Sequence, residues 1–139
     1  MTINTIQINV TPLRVWDIAS DVATWEKWNG AITEIAPHKG QFRFKLRGLG
    51  WVDAKVILDR ATLSMSYFIS GFSSREEGRI ELAICGDQMT SLTYCVTHEG
   101  LIPKVLRLDR VVDWRFGRLK EICETGSVID AMGPGAIEA

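Results

Sequence analysis

The order of residue periodicities in this 139-residue sequence predicts an α+β fold. A single curved antiparallel sheet of seven strands wraps round one long C-terminal helix, with two short helices inserted between strands 1 and 2. Three observations carry this reading. Segments between residues 31 and 100 repeat as short β-branched or alternating runs separated by turn residues, the pattern of hairpins in series. Two regions, one after the first strand and one from Pro103, switch to steps of three and four. No stretch offers the long crossover that parallel strands need.

Residues 3–10 (INTIQINV) carry Ile3, Ile6, Ile8 and Val10 and read as the first strand. Thr11 then stands at a helix N-cap with Pro12 in the first turn, where its missing N–H costs nothing. Val15, Trp16, Ile18, Ala19 and Val22 follow at helical spacing, and Asp21 can cap a second short helix through Trp25 and Trp28 that stops at Asn29-Gly30. Residues 31–36 form a strand expected to stop at Pro37. Residues 41–48 (QFRFKLRG) alternate Phe42, Phe44 and Leu46 against Arg43, Lys45 and Arg47. In WVDAKVILDR, residues 51–60, Val52, Ala54, Val56 and Leu58 take the inward phase, and in TLSMSYFIS, residues 62–70, Leu63, Met65, Tyr67 and Ile69 do. Ser70-Gly71 begins a turn, after which two longer strands, 75–86 and 89–100, meet at Gly86-Asp87.

From Pro103 to about Glu124, Val105, Leu108, Val112, Phe116, Leu119 and Cys123 make an apolar stripe opposed by Lys104, Arg107, Arg110, Asp113, Arg118 and Glu121. Roughly 22 residues at 1.5 Å each span on the order of 33 Å, enough to cross a sheet. Gly117 within it marks a kink or a close approach. The Gly-rich tail 125–139 is expected to fray, so a single domain over 1–139 has its ordered core at about 3–124.

Sixteen basic and seventeen acidic side chains leave a net charge of −1, which supplies no basic excess for nucleic acid or an anionic membrane surface. Charged residues are 24% and hydrophobic ones 46%, a globular profile. The three cysteines, Cys85, Cys95 and Cys123, form no CxxC pair and read as free thiols. No secretory signal or bilayer-length apolar run is visible, so a cytoplasmic protein, monomer or homodimer, is expected. His38 and His98 lie far apart, and no metal site, phosphate loop or nucleophile elbow is present in the sequence, so neither metal nor cofactor is expected.

A seven-stranded sheet curls, and a helix laid in its concave side cannot touch every inward side chain, so a hollow is expected between them. The first strand, then TPLRVWDIASDVATWEKW at 11–28 with its Pro-x-x-Val-Trp and Trp-x-x-Trp, then the strands and the closing amphipathic helix, resembles the START-like helix-grip (SRPBCC) superfamily. The likeness covers residues 3–124 and is greatest to its polyketide cyclase/dehydrase and lipid-transport branch. That superfamily includes binders, transporters and enzymes, so the resemblance bears on fold more than on activity.

Inward phase nominates Trp28, Phe42, Phe44, Val56, Met65, Tyr67, Leu82, Tyr94, Leu108, Val112 and Phe116 as the wall around a ligand. Trp16 reads as core, whereas Trp28, at a helix end, is the tryptophan better placed to meet a ligand, and its indole N–H needs a partner.

Three polar residues share the inward phase. His98 follows Leu92, Tyr94 and Val96 and is a residue type that shuttles protons. Tyr67 brings a phenol, and Glu76, in phase with Gly78, Ile80, Leu82 and Ile84, brings a carboxyl that an apolar hollow would push up in pKa. For each, ordinary core or a solvated strand end is the competing reading. Arg115 and Asp109, beside the helix stripe, read as surface charges or groove-edge groups. Trp51, Phe68 and Trp114 hint at an outer apolar patch.

The first functional reading is a cavity that takes a small hydrophobic or aromatic, partly oxygenated ligand. If it is catalytic, the resemblance implies cofactor-free aldol-type cyclisation or dehydration of a poly-β-keto chain, with His98, Tyr67 or Glu76 managing protons. The alternatives are a non-catalytic carrier or sensor of a lipid or hydrophobic metabolite, and a protein-interaction module with a filled interior.

Overall fold

The structure, a computed structural model, describes residues 1–71, 74–100 and 108–126, the side chains of residues 108 and 109 excepted. The elements run β1 (Thr2–Ile8), α1 (Pro12–Ala19), a 3-10 helix (Val22–Lys27), β2 (Ile32–His38), β3 (Gln41–Leu46), β4 (Gly50–Asp59), β5 (Ser64–Gly71), β6 (Ser74–Gly86), β7 (Met89–Gly100) and α2 (Leu108–Thr125). The seven strands form one antiparallel sheet in the order β1-β7-β6-β5-β4-β3-β2. Every pairing is a sequential hairpin except that of β1, which docks on β7. This is the curved open sheet with a C-terminal helix that the periodicities predict.

Local chemistry explains most boundaries. Pro12 opens α1, and the N–H of Val15 reaches back to Thr11 O at 3.1 Å, while the Thr11 side chain makes no cap bond. The second short helix is a 3-10 turn and not α-helical. Its six residues exceed the three or four usual for that tighter form. Proline does not end β2: Pro37 pairs with Phe42 and the ladder runs on to His38↔Gln41. β2 is an edge strand, where a missing N–H is tolerated. Lys39 and Gly40 make the following tight turn with φ of 50° and 78°, the left-handed pair a two-residue hairpin needs.

The core lies between the concave face and the helices. Val15, Trp16, Ala19, Val22 and Trp25 come from the helical segment, Phe44, Ala54, Met65, Tyr67, Ile80, Leu92, Tyr94 and Val96 from the sheet, and Val112, Phe116, Leu119 and Cys123 from α2. Trp16 is core, as its phase implies. The α2 stripe is buried at each described position, and Lys104, Val105 and Arg107 lie outside the described residues. The expected tail also lies outside them beyond Gly126, and Thr125 itself still belongs to α2.

Two inward assignments fail at strand ends. Leu58 pairs with Met65 yet is 46% exposed, and Ile84 is 72% exposed. Ile84 borders a register irregularity before Gly86. Phase fixes the face of a sheet, not whether anything covers it. Leu63 precedes β5 with φ of 51° and is only partly buried.

Candidate functional site

Pairing register brings three distant residues together. Glu76 on β6 stands directly opposite His98 on β7, and Tyr67 on β5 stands opposite Gly78, two residues from Glu76 on the same face. Gly78 is what makes the juxtaposition possible, because a Cβ there would collide with the Tyr67 ring. The ring edge and hydroxyl occupy the space a side chain there would fill, and the hydroxyl reaches Glu76. A glycine inside a strand often marks such a close approach.

Glu76 is the centre of a buried network. The Tyr67 hydroxyl donates to Glu76 Oε2 at 2.6 Å, and His98 Nε2 lies 2.6 Å from Glu76 Oε1. From α2, Arg115 Nη1 donates to Glu76 Oε2 at 2.9 Å and to the Tyr67 hydroxyl at 3.4 Å. The Arg115 and Glu76 side chains are only 6% and 15% exposed. Of the two readings the sequence leaves for Arg115, surface charge or groove-edge group, the surface charge is therefore excluded.

The electrostatics reverse one expectation. Burial pushes the Glu76 carboxyl up, but the Arg115 guanidinium, with the His98 and Tyr67 hydrogen bonds, outweighs it and holds the group well below the usual carboxylate range. Glu76 is thus a fixed carboxylate that accepts from three sides, and His98 Nε2 carries the proton it shares with Oε1. Burial and the adjacent carboxylate push the Tyr67 phenol well above its ordinary value, so it remains a donor. For Arg115, burial alone would lower the pKa, but Glu76 more than compensates and the guanidinium stays charged. Removing one partner of such a buried pair strands the other and costs about 3–5 kcal/mol.

Aromatic side chains floor the region. Trp25 packs on Trp28, Phe44 and Tyr67 at centroid distances of 5.4, 5.9 and 5.5 Å. Trp28 continues to Phe116 at 5.7 Å, and Phe116 stacks on Tyr94 at 4.1 Å. The Tyr94 hydroxyl donates to Asp113 Oδ1 at 2.5 Å. Its pKa is raised, first by burial and then by that bond. Trp25 Nε1 donates to Ala19 O at 2.8 Å, whereas Trp28 Nε1, equally buried, has no protein partner. Phe44, Val56, Met65, Leu82 and Val112 are buried around this floor and Phe42 is partly so. The side chains of Leu108 and Asp109 lie outside the described residues.

The curved sheet and closing helix together make the START-like helix-grip fold. Solved structures agree. The chain superposes on the di-domain ARO/CYC protein StfQ of the steffimycin biosynthetic pathway with a TM-score of 0.74 at 13% identity, covering 91% of this chain and 46% of StfQ. It therefore spans about half of that di-domain protein. A Thermus thermophilus protein matches with a TM-score of 0.69 at 20% identity over 88% of this chain and 95% of its own. A START superfamily protein from Mycobacterium smegmatis gives 0.67 at 17% identity, over 88% and 93%. No protein-family model and no curated protein matches the sequence.

Proposed function

We propose that the chain is a single ligand-binding domain whose guest is a small hydrophobic or aromatic, partly oxygenated molecule, held between the sheet and α2. The observation that carries this reading is the buried Tyr67–Glu76–His98–Arg115 network set against the floor of Trp25, Trp28, Phe44 and Phe116. An apolar enclosure with a few fixed polar groups is how small-molecule sites combine affinity with orientation. The likeness to an ARO/CYC protein supports the same choice.

If the chain acts on its guest, the chemistry we propose is cofactor-free aldol-type cyclisation or dehydration, and the network supports the following roles. Glu76, locked as a carboxylate, orients His98 and fixes the tautomer that leaves Nδ1 as the basic nitrogen. Tyr67 has its proton committed to Glu76, so it positions that carboxylate. A carrier without turnover is the second reading. It is favoured by the closure of the network, in which Tyr67, His98 and Arg115 all bind Glu76.

Native mass spectrometry of freshly purified protein, with extraction of bound species, tests the binding reading. A co-purifying small molecule, and quenching of tryptophan fluorescence by an aromatic probe, are expected. A mass equal to the bare chain together with no quenching overturns it. His98→Ala then separates the two forms: loss of ketone turnover with retained binding marks an enzyme, and binding without turnover in the parent protein marks a carrier.

A further inference from the structure

The two edges of the sheet are built differently. β2, at one edge, carries features that keep a strand from pairing with another chain: the charged Glu34, a register irregularity between Ile32 and Glu34, and Pro37, which has no N–H to offer. β1, at the other edge, carries none of them. Its residues, Thr2–Ile8, include no proline and no charged side chain, and its ladder to β7 runs unbroken from Thr2↔Val96 to Ile8↔Thr90. Among the described residues no strand lies beyond it, and Ile3 is 63% exposed. At its midpoint the Thr5 amide donates to the side chain of the residue before it, Asn4 Oδ1, at 2.8 Å, a local bond of the kind that competes with a ladder. A regular, uncharged edge rich in β-branched residues is a template for one more strand.

The strand that fits it is a second β1. When two copies of one strand pair antiparallel about a two-fold axis, opposed residues share a face only if the axis passes through a residue and its own copy. Thr5 is the midpoint of Thr2–Ile8, so an axis there engages the whole strand. Thr5 then meets Thr5, Ile3 meets Gln7, Asn4 meets Ile6 and Thr2 meets Ile8. No like charges come face to face, because the strand has none. A charged peptide, by contrast, finds no complementary charge along β1.

We infer that β1 is the dimerisation surface of this chain: two copies join edge to edge, antiparallel about a two-fold axis through Thr5, into one continuous sheet. The contact is isologous and closes on itself, so assembly stops at two. It is independent of what the interior binds. An edge-to-edge contact of this length is smaller than a standard stable interface, and the dissociation constant is expected in the micromolar range.

Sedimentation of the full chain over about 1 to 200 μM tests this directly, with a two-chain species expected to grow with concentration. Thr5→Lys and Thr5→Glu each set like charges opposite one another across the axis and should weaken self-association by about fivefold or more. An equimolar mixture of the two should restore it, because unlike charges then meet, and Thr5→Val should leave it unchanged. Hydrogen exchange on the parent protein gives a reading that needs no variant: the β1 amides should become more protected as concentration rises. A parent chain that stays monomeric throughout overturns the inference. So does a dimer that all three variants leave intact, which would place the interface elsewhere, and so does a loss in the charged variants that mixing fails to rescue. Protection of the β1 amides at every concentration in a monomer would mean that a segment of the same chain occupies the edge, and would equally overturn it.

Discussion

At the scale of single residues, Glu76 decides the character of the interior. Glu76→Gln keeps the shape but leaves Arg115 as a buried cation without its partner, so a loss of roughly 3–5 kcal/mol is expected by urea denaturation. Adding Arg115→Met to that variant should restore much of the loss, because an uncharged pair of similar volume has no charge to strand. Equal stability of the single and double variants would refute the coupling. Gly78→Ala should be similarly informative: its methyl displaces the Tyr67 ring, costs on the order of 1–3 kcal/mol as an overpacking change, and breaks the phenol's bond to Glu76. Thiol chemistry separates the cysteines. Burial pushes the Cys123 thiol up to about 12, whereas Cys85 is exposed. Ellman's reagent should therefore modify Cys85 in the native protein and reach Cys123 only on unfolding.

At the scale of elements, strand phase puts Tyr67, Glu76 and His98 on one face, because the two-residue repeat of a strand is written directly in the sequence. The bonds among them depend on register between strands, which no single segment encodes. The position of Arg115 is legible, but the choice between surface and groove edge is not. Steps of three from Val112 and four to Leu119 place it within the buried stripe, yet a charged side chain argues for the surface until its partner on another element is known. The direction of the Glu76 shift failed for the same reason: burial could be inferred, and the opposing guanidinium could not. Turns were more transparent in position than in cost. Lys39 holds φ of 50° beside Gly40, a conformation that asparagine tolerates better than lysine. Lys39→Asn should stabilise the protein by about 0.5–1 kcal/mol, seen as a rise in Tm, and an unchanged or lower Tm would show that the turn is not strained.

For the whole molecule, acid is the condition that exposes the buried network. Glu76 has a folded pKa below its ordinary 4.5, so it binds its proton more readily unfolded than folded. Its contribution is complete above the ordinary carboxylate range and is lost progressively as pH falls through that range toward the folded value. Stability of the parent protein, followed by urea midpoints from pH 6 to about 3, should fall more steeply than that of Glu76→Gln/Arg115→Met. Parallel curves would mean that other carboxylates control the acid limb. The architecture itself was largely predictable, since seven strand-like runs and a closing amphipathic helix admit few layered solutions. The aromatic floor was less so, because contacts among Trp25, Trp28, Phe44, Tyr67 and Phe116 join four separate elements and are set only once the sheet has curved.

The partnership of β1 with β7 also imposes an order of events during synthesis. The hydroxyls of Thr5 and Thr93, 88 positions apart, meet at 3.0 Å, so the first strand of this sheet to leave the ribosome has no ladder to join until the sheet's last strand has emerged. For that interval its amide edge and its isoleucines are available to any other chain in reach, and molecular chaperones have a defined segment to shield.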